Sequence, residues 1–181
     1  MSNSDPVELE SGHAFRLRLM DDMYRKLRRE LNRFGAAKSS RGDQIDAAIN
    51  FAWTAWHMTD WFWEARKKHL KADLSLKSLQ GFQDYVRMDS SALAVCDVIA
   101  NAAKHGGVAK AYPNRPQVET ILVAHPVDRT GSDVEMIAAM MDRKWSLKIR
   151  HGGKSEHAYV LFNRAYNRWH RFRTRYPPED I

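Results

Sequence analysis

Apolar residues recur every three or four positions within residues 6–34, a spacing that places them on one face of an α-helix. These apolar positions are Met20, Met23, Tyr24, Leu27, Leu31 and Phe34. The basic residues between them are Arg25, Lys26, Arg28, Arg29 and Arg33. Gly35 is expected to end the helix. The pattern therefore predicts an amphipathic first helix.

A second helix is predicted from Asp43, as its N-cap, to about His69. It contains NFAWTAWHMTDWFWEARKKH (residues 50–69), which is apolar on nearly every side and therefore typical of a helix in a core. One narrow stripe is polar and consists of Asn50, His57, Asp60 and Glu64. Because a buried polar group without a partner costs about 1–3 kcal/mol, we expect this stripe to have partners.

Two further helices are predicted over residues 75–88 and 90–105. The second of them is capped by Asp89, Ser90 or Ser91, is stopped by Gly106-Gly107, and is apolar apart from one side. That side carries Asp97, Asn101, Lys104 and His105. Two apolar helices that each have one polar stripe pack most simply with the stripes facing a common cleft. We therefore predict a cleft lined by His57, Asp60, Asn101, Lys104 and His105.

Beyond residue 106, short apolar or alternating runs replace the helical pattern. The runs are VETILVA (118–124), VEMIAAMM (134–141) and WSLKIR (145–150). They predict a small antiparallel sheet, although the Ala and Met residues of the second run also favour a helix. A last helix is predicted from near Ser155 to Pro177. Its apolar stripe is Ala158, Phe162, Ala165, Trp169, Phe172 and Tyr176.

The order of these elements predicts an α+β fold, mainly helical, with a helical bundle core and a small antiparallel sheet. A length of 181 residues fits a single domain, 1–181, with the helical part in residues 1–105 and the sheet and C-terminal helix in residues 106–181. No run approaches the roughly 20 apolar residues of a membrane-spanning helix. The N-terminus has no signal-peptide pattern and Cys96 is the only cysteine, so we expect a cytoplasmic protein without a membrane partner.

A formal net charge of +7 and a pI near 9.6 favour a polyanionic partner such as RNA or a nucleotide. In the last helix, a basic stripe lies beside the apolar one and is a candidate nucleic-acid-binding surface. It consists of Arg164, Arg168, Arg171 and Arg175. The alternative interpretation is an amphipathic surface helix that carries charges next to its buried face. A second copy of the chain or an operon-encoded protein is a further candidate partner.

The predicted cleft has the side chains for metal-independent RNA cleavage. His57, oriented by Asp60 or Glu64, and His105 would carry protons, and Lys104 would neutralise the negative charge that develops on the phosphorane. A metal-dependent enzyme that uses His57, Asp60, Glu64 and His105 is an alternative. Because a repeated Glu-x-x-His motif is missing and Lys104 would repel a cation, we expect neither a metal nor another cofactor. A third interpretation is a structural polar network in a binding or scaffold protein.

The segments AWHMTDWFWE and CDVIANAAKHGG resemble a group of uncharacterised bacterial helical proteins with H-x-x-D-W and N-x-x-K-H motifs. These are distantly similar to the HEPN superfamily, whose helical domains occur in toxin ribonucleases, abortive-infection proteins and nucleotide-binding modules. The resemblance covers residues 42–105 and implies a protein that acts on or binds RNA or nucleotides in bacterial defence or a toxin–antitoxin system. His105 matches the catalytic His of active HEPN ribonucleases. Their Arg is missing at the expected distance, where Asn101 is the polar residue, so an inactive RNA- or nucleotide-binding relative is equally consistent.

Overall fold

The computed structural model describes residues 17–37, 40–104, 116–124 and 145–177. The described residues form five helices and three strands. In chain order they are α1 (Met20–Ala36), α2 (Arg41–Leu74), α3 (Leu79–Asp89), α4 (Ser91–Lys104), β1 (Val118–Ala124), β2 (Trp145–His151), β3 (Lys154–His157) and α5 (Ala158–Arg175). The predicted mainly helical α+β fold is confirmed. Residues 6–16, His105, Gly106-Gly107 and the run 134–141 lie outside the described residues.

Helix α2 lies at the centre and packs against each of the other four helices. Its residues Phe51, Ala55 and Phe62 are completely buried, as expected for a helix that is apolar on nearly every side. The Phe62 ring lies within 5.7–6.2 Å of rings from α3, α5 and Tyr176, measured between ring centroids. The Trp169 indole of α5 also donates a hydrogen bond to the Ala55 carbonyl oxygen at 2.9 Å. The core is therefore built around α2.

The ends of α2 differ from the prediction. Ser40, not Asp43, is the N-cap, because the Ser40 hydroxyl accepts a hydrogen bond from the Asp43 backbone N–H at 3.0 Å. The helix ends at Leu74, beyond the predicted His69, where Ser75 takes a left-handed backbone conformation with φ of 54°. None of the described helices is long and apolar enough to cross a membrane.

The predicted helices around α2 have the predicted buried faces. All six apolar positions of the first helix are buried, and so is the whole predicted stripe of the last helix. Helix α3 begins at Leu79, later than predicted, with Ser78 as its N-cap. Of the three candidate caps for α4, Ser90 accepts a hydrogen bond from the Leu93 backbone N–H at 3.3 Å. Only one residue, Ser90, separates α3 from α4.

The described sheet is antiparallel in the order β1-β2-β3, with Leu122 opposite Leu147. Its third strand is β3, a segment that we predicted as the start of the last helix. Gly152 and Gly153 have φ values of +52° and +73°, and positive φ at both central residues is what a two-residue hairpin turn of type I′ requires. The chain keeps its extended strand conformation as far as His157, so α5 begins at Ala158 and not near Ser155.

Glu156 in β3 joins the sheet to α5. Its carboxylate accepts two hydrogen bonds of 2.6 Å from the Arg164 guanidinium and lies 2.7 Å from Nε2 of His151 in β2. Burial by itself raises the pKa of this carboxyl group, but the hydrogen bonds and positive charges of Arg164 and His151 outweigh it. The pKa of Glu156 is therefore lowered in the folded protein.

We expect the contribution of Glu156 to stability to depend on pH. A carboxyl group whose pKa is lowered by folding stabilises the protein above its unfolded-state pKa, and this contribution disappears as the pH falls through the folded-state pKa. Glu156→Gln should therefore unfold at a lower urea concentration than the wild type at neutral pH. The difference should shrink in acid, and a difference that does not change with pH would contradict this assignment.

Candidate functional site

The polar stripe of α2 faces solvent. Asn50, His57 and Glu64 are exposed and Asp60 is partly exposed. The stripe therefore lies on an open side of this core helix and not within the core. The reason is that the other sides of α2 are covered by the surrounding helices, which leaves this side open.

His57 and Asp60 form a pair on this open side. His57 Nδ1 lies 3.2 Å from Asp60 Oδ2, and their side chains are 56% and 41% exposed. Gln83 of α3 donates a hydrogen bond to the other Asp60 oxygen at 3.2 Å, which helps to orient the carboxylate. In the tautomer that donates its Nδ1–H to Asp60, His57 Nε2 carries the lone pair. The pair is therefore arranged so that Nε2 can accept a proton from a bound molecule.

Two polar residues of α4, Asp97 and Asn101, form a network with Arg87 of α3. Asp97 is completely buried, and its two carboxylate oxygens accept hydrogen bonds from Arg87 Nε at 2.9 Å and from Asn101 Nδ2 at 2.7 Å. Arg87 also donates to Asp84 at 2.6 Å, and its guanidinium lies 4.6 Å from the centre of the Trp56 ring. Arg87 thus connects α2, α3 and α4.

The predicted cleft residues that the structure describes make no direct bonds between α2 and α4. Among the described residues, no hydrogen bond or ion pair joins His57 or Asp60 of α2 to Asn101 or Lys104 of α4. Lys104 is exposed at the end of α4, and His105, the fifth member of the predicted cleft, lies outside the described residues. Each stripe is linked instead to α3.

Sequence reasoning missed the role of Arg87. A signal was available, since a connection of one residue keeps the last turn of α3 close to the first turns of α4. Periodicity alone did not show that Asp97 would point to this arginine.

Helices α2 and α4 meet directly at Trp53. Its indole Nε1 donates a hydrogen bond to the Ala100 carbonyl oxygen at 2.8 Å, while 41% of the residue surface is exposed. His57 follows Trp53 by one helical turn, and Asn101 follows Ala100 directly. The exposed side of α2 and the polar side of α4 therefore both lie next to the hydrogen bond between Trp53 and Ala100.

Helix α1 borders the exposed side of α2 from the other direction. Lys26 donates a hydrogen bond to Thr54, one turn before His57, at 2.7 Å. Along α1 runs a groove of about 490 Å³. Its described lining residues are Leu17, Asp22, Arg25, Lys26, Arg29, Glu30 and Arg33. The α1 groove is therefore mainly cationic.

The acidic residues of α1 are already bonded within the protein. Asp21 pairs with Arg173 of α5 at 2.8 Å. Asp22 accepts hydrogen bonds from the backbone of Leu19 and Arg18, which lower its pKa. Glu30 is buried and bonded to Lys26 at 3.1 Å and to Arg33 at 2.8 Å. Arg28 and Arg29 are exposed and form no ion pair with any described residue, so no described carboxylate neutralises this positive charge on the outer side of α1.

The predicted basic stripe of α5 is partly engaged in the fold. Arg164 is bonded to Glu156, and Arg168 is bonded to Asp89 at the end of α3. Arg175 lies 5.3 Å from the centre of the Tyr176 ring. Arg171 is exposed and has no ion pair among the described residues. Two of the four arginines therefore hold α5 against its neighbours.

The chain was compared with known protein-family models, with curated proteins and with solved structures, and it matches none of them. The described residues contain no group of three or more His, Cys, Asp or Glu side chains that could hold a metal ion. The single cysteine, Cys96, is completely buried, and burial raises the pKa of its thiol. Candidate chemistry in the described residues therefore centres on the exposed side of α2 and the α1 groove.

We expect Arg87→Met to destabilise the protein by about 3 kcal/mol, because it removes one partner of a buried ion pair and leaves the Asp97 carboxylate in the core. Urea unfolding measures this loss. Arg171→Met is the matched control, since it removes an exposed arginine, and should change stability by no more than about 0.5 kcal/mol. Equal effects of the two substitutions would contradict the structural role of Arg87.

Proposed function

We propose that this protein binds RNA along the outer side of α1. The observation that carries the proposal is that Arg28 and Arg29 are exposed on the outer side of α1. The acidic residues of this helix are already bonded within the protein. Arginine guanidinium groups bind phosphates by charge-assisted hydrogen bonds. The distant resemblance of residues 42–105 to HEPN domains favours the same class of ligand.

Helix α1 is a better candidate than α5 for this surface. Arg164 and Arg168 of α5 would have to leave Glu156 and Asp89 before they could bind a phosphate. Arg28 and Arg29 of α1 face no such competition from a described carboxylate. Phosphate contacts of this kind position a nucleic acid without reading its bases, so we expect little sequence preference.

RNA affinity should fall steeply with salt, with a log–log slope of about −0.7 for each phosphate neutralised on a single strand. Replacing Arg28 and Arg29 together by Glu should weaken binding of all RNA sequences alike. It should also make the slope shallower by about 0.7 for each phosphate that the variant no longer neutralises. Fluorescence anisotropy with a labelled short RNA measures both effects.

The matched control replaces Lys148 and Lys154 by Glu, which makes the same charge change at exposed positions of the sheet. This control should bind RNA nearly as well as the wild type. If both double variants lose affinity equally, net charge and not the α1 surface governs binding. If the wild type binds no RNA at low salt, the proposal fails and a scaffold built on the polar network of Arg87 becomes the better account.

The His57–Asp60 pair favours a second candidate function, metal-independent RNA cleavage. Neutral His57 Nε2 would take the proton from a ribose 2′-hydroxyl while that oxygen bonds to the adjacent phosphorus. The bond from phosphorus to the 5′ oxygen would break, and the leaving oxygen would take a proton from water. The products would be a 2′,3′-cyclic phosphate and a 5′-hydroxyl end.

His57→Ala should lower the rate of such cleavage at saturating RNA by roughly 10²–10⁴-fold, the usual contribution of a general base. Product ends identify the reaction, and a substrate with 2′-deoxyribose at the cleaved position should resist it. His170→Ala, which removes an exposed histidine of α5, is the control and should keep full activity. A wild type that leaves RNA intact would exclude this second function without affecting the binding proposal.

A further inference from the structure

Three aromatic side chains form a line along the open side of α2. Trp53, His57 and Trp61 are each four residues apart, so they lie on one side of the helix with a rise of about 6 Å between neighbours. Trp53 and His57 are exposed, and Trp61 is partly buried where it lines a groove of about 460 Å³. We call Trp53, His57 and Trp61 the aromatic ridge.

The rings of the aromatic ridge are held in place by the rest of the fold. The Trp53 indole is fixed by its hydrogen bond to Ala100, and the His57 imidazole by Asp60. Trp61 packs against the edge of the hydrophobic core. Rings that are ordered before a ligand arrives lose little conformational entropy when they bind it. The other two tryptophans of α2, Trp56 and Trp63, are buried, so exposure of Trp53 is not a general property of this helix.

Cations lie beside the aromatic ridge on its α1 side. Lys26 contacts Thr54, the residue that follows Trp53, and Arg18 lines the same groove as Trp61. The two acidic residues at the aromatic ridge are already bonded within the protein, because the Asp60 carboxylate accepts a hydrogen bond from Gln83 and Glu64 pairs with Lys67 at 2.8 Å. A strand whose phosphates lie along α1 could therefore turn its bases toward the aromatic ridge.

We propose that the aromatic ridge stacks unpaired bases, which makes single-stranded RNA the ligand of this protein. The inference rests on the proposed RNA binding along α1 and adds the class of RNA that is bound. Base stacking on aromatic side chains needs an accessible base face, which a duplex hides within its own stack. Stacking also tolerates any base, in agreement with phosphate contacts that do not read sequence.

The test compares three ligands of equal length: a short oligoadenylate, an abasic strand with the same sugar–phosphate backbone, and an RNA duplex. The wild-type protein should bind oligoadenylate roughly tenfold or more tightly than the abasic strand. It should also prefer oligoadenylate to the duplex. Trp53→Ala and Trp61→Ala should each lower oligoadenylate affinity by roughly tenfold and leave abasic-strand affinity unchanged.

Trp53→Phe separates stacking from folding, since it keeps an aromatic ring and loses the hydrogen bond to Ala100. This variant should retain most of the oligoadenylate affinity. Trp61→Ala breaks no hydrogen bond of the indole among the described residues, so it tests the aromatic ridge even if Trp53→Ala unfolds. Equal wild-type affinity for oligoadenylate and the abasic strand would overturn base stacking on the aromatic ridge but leave the proposed RNA binding along α1 in place. Absence of binding to all three ligands would overturn both proposals.

Discussion

Burial of the apolar surface of α2 is the constraint on which the rest of the structure depends. The middle of this 34-residue helix is apolar on nearly every side and must be covered by other elements, and α1, α3, α4 and α5 all pack against the helix. The Phe62 ring packs against the Trp169 ring of α5, and the Trp169 indole donates a hydrogen bond to Ala55, so α5 lies directly on the surface of α2. One side stays open, and that side carries His57 and the aromatic ridge. The position of the candidate site thus follows from where the core helices leave a gap.

The short helix α3 organises the polar residues around this gap. Its Gln83 bonds to Asp60 of α2, its Arg87 bonds to Asp97 of α4, and its Phe82 enters the core. A buried carboxylate such as Asp97 is costly without a cationic partner, so Arg87 fixes how α3 and α4 lie against α2. The same packing sets the direction of the Asp60 carboxylate and hence of the His57 ring. Fold stability and candidate chemistry are linked through this helix.

The arginines of α1 and α5 differ in whether a described carboxylate binds them, and acidic residues from distant parts of the chain decide the difference. Glu156 and Asp89 engage Arg164 and Arg168, so these arginines stabilise the attachment of α5. On α1, Arg28 and Arg29 have no such partner among the described residues and leave positive charge on the surface. A charge pattern along one helix therefore indicates a phosphate-binding surface only after the carboxylates around it are known.

The sequence by itself determined the mainly helical fold and the buried faces of α1 and α5, because helical periodicity is a local property that a few turns of chain express. It did not determine the third strand, since the polar segment of β3 has no apolar alternation and only the Gly152-Gly153 hairpin pairs it with β2. Tertiary structure alone decided that the polar stripe of α2 faces solvent, that Asp97 meets Arg87, and that the Trp53 indole is fixed on Ala100. These outcomes depend on contacts between elements far apart in the chain, and no local pattern specifies which side of a helix its neighbours will leave uncovered.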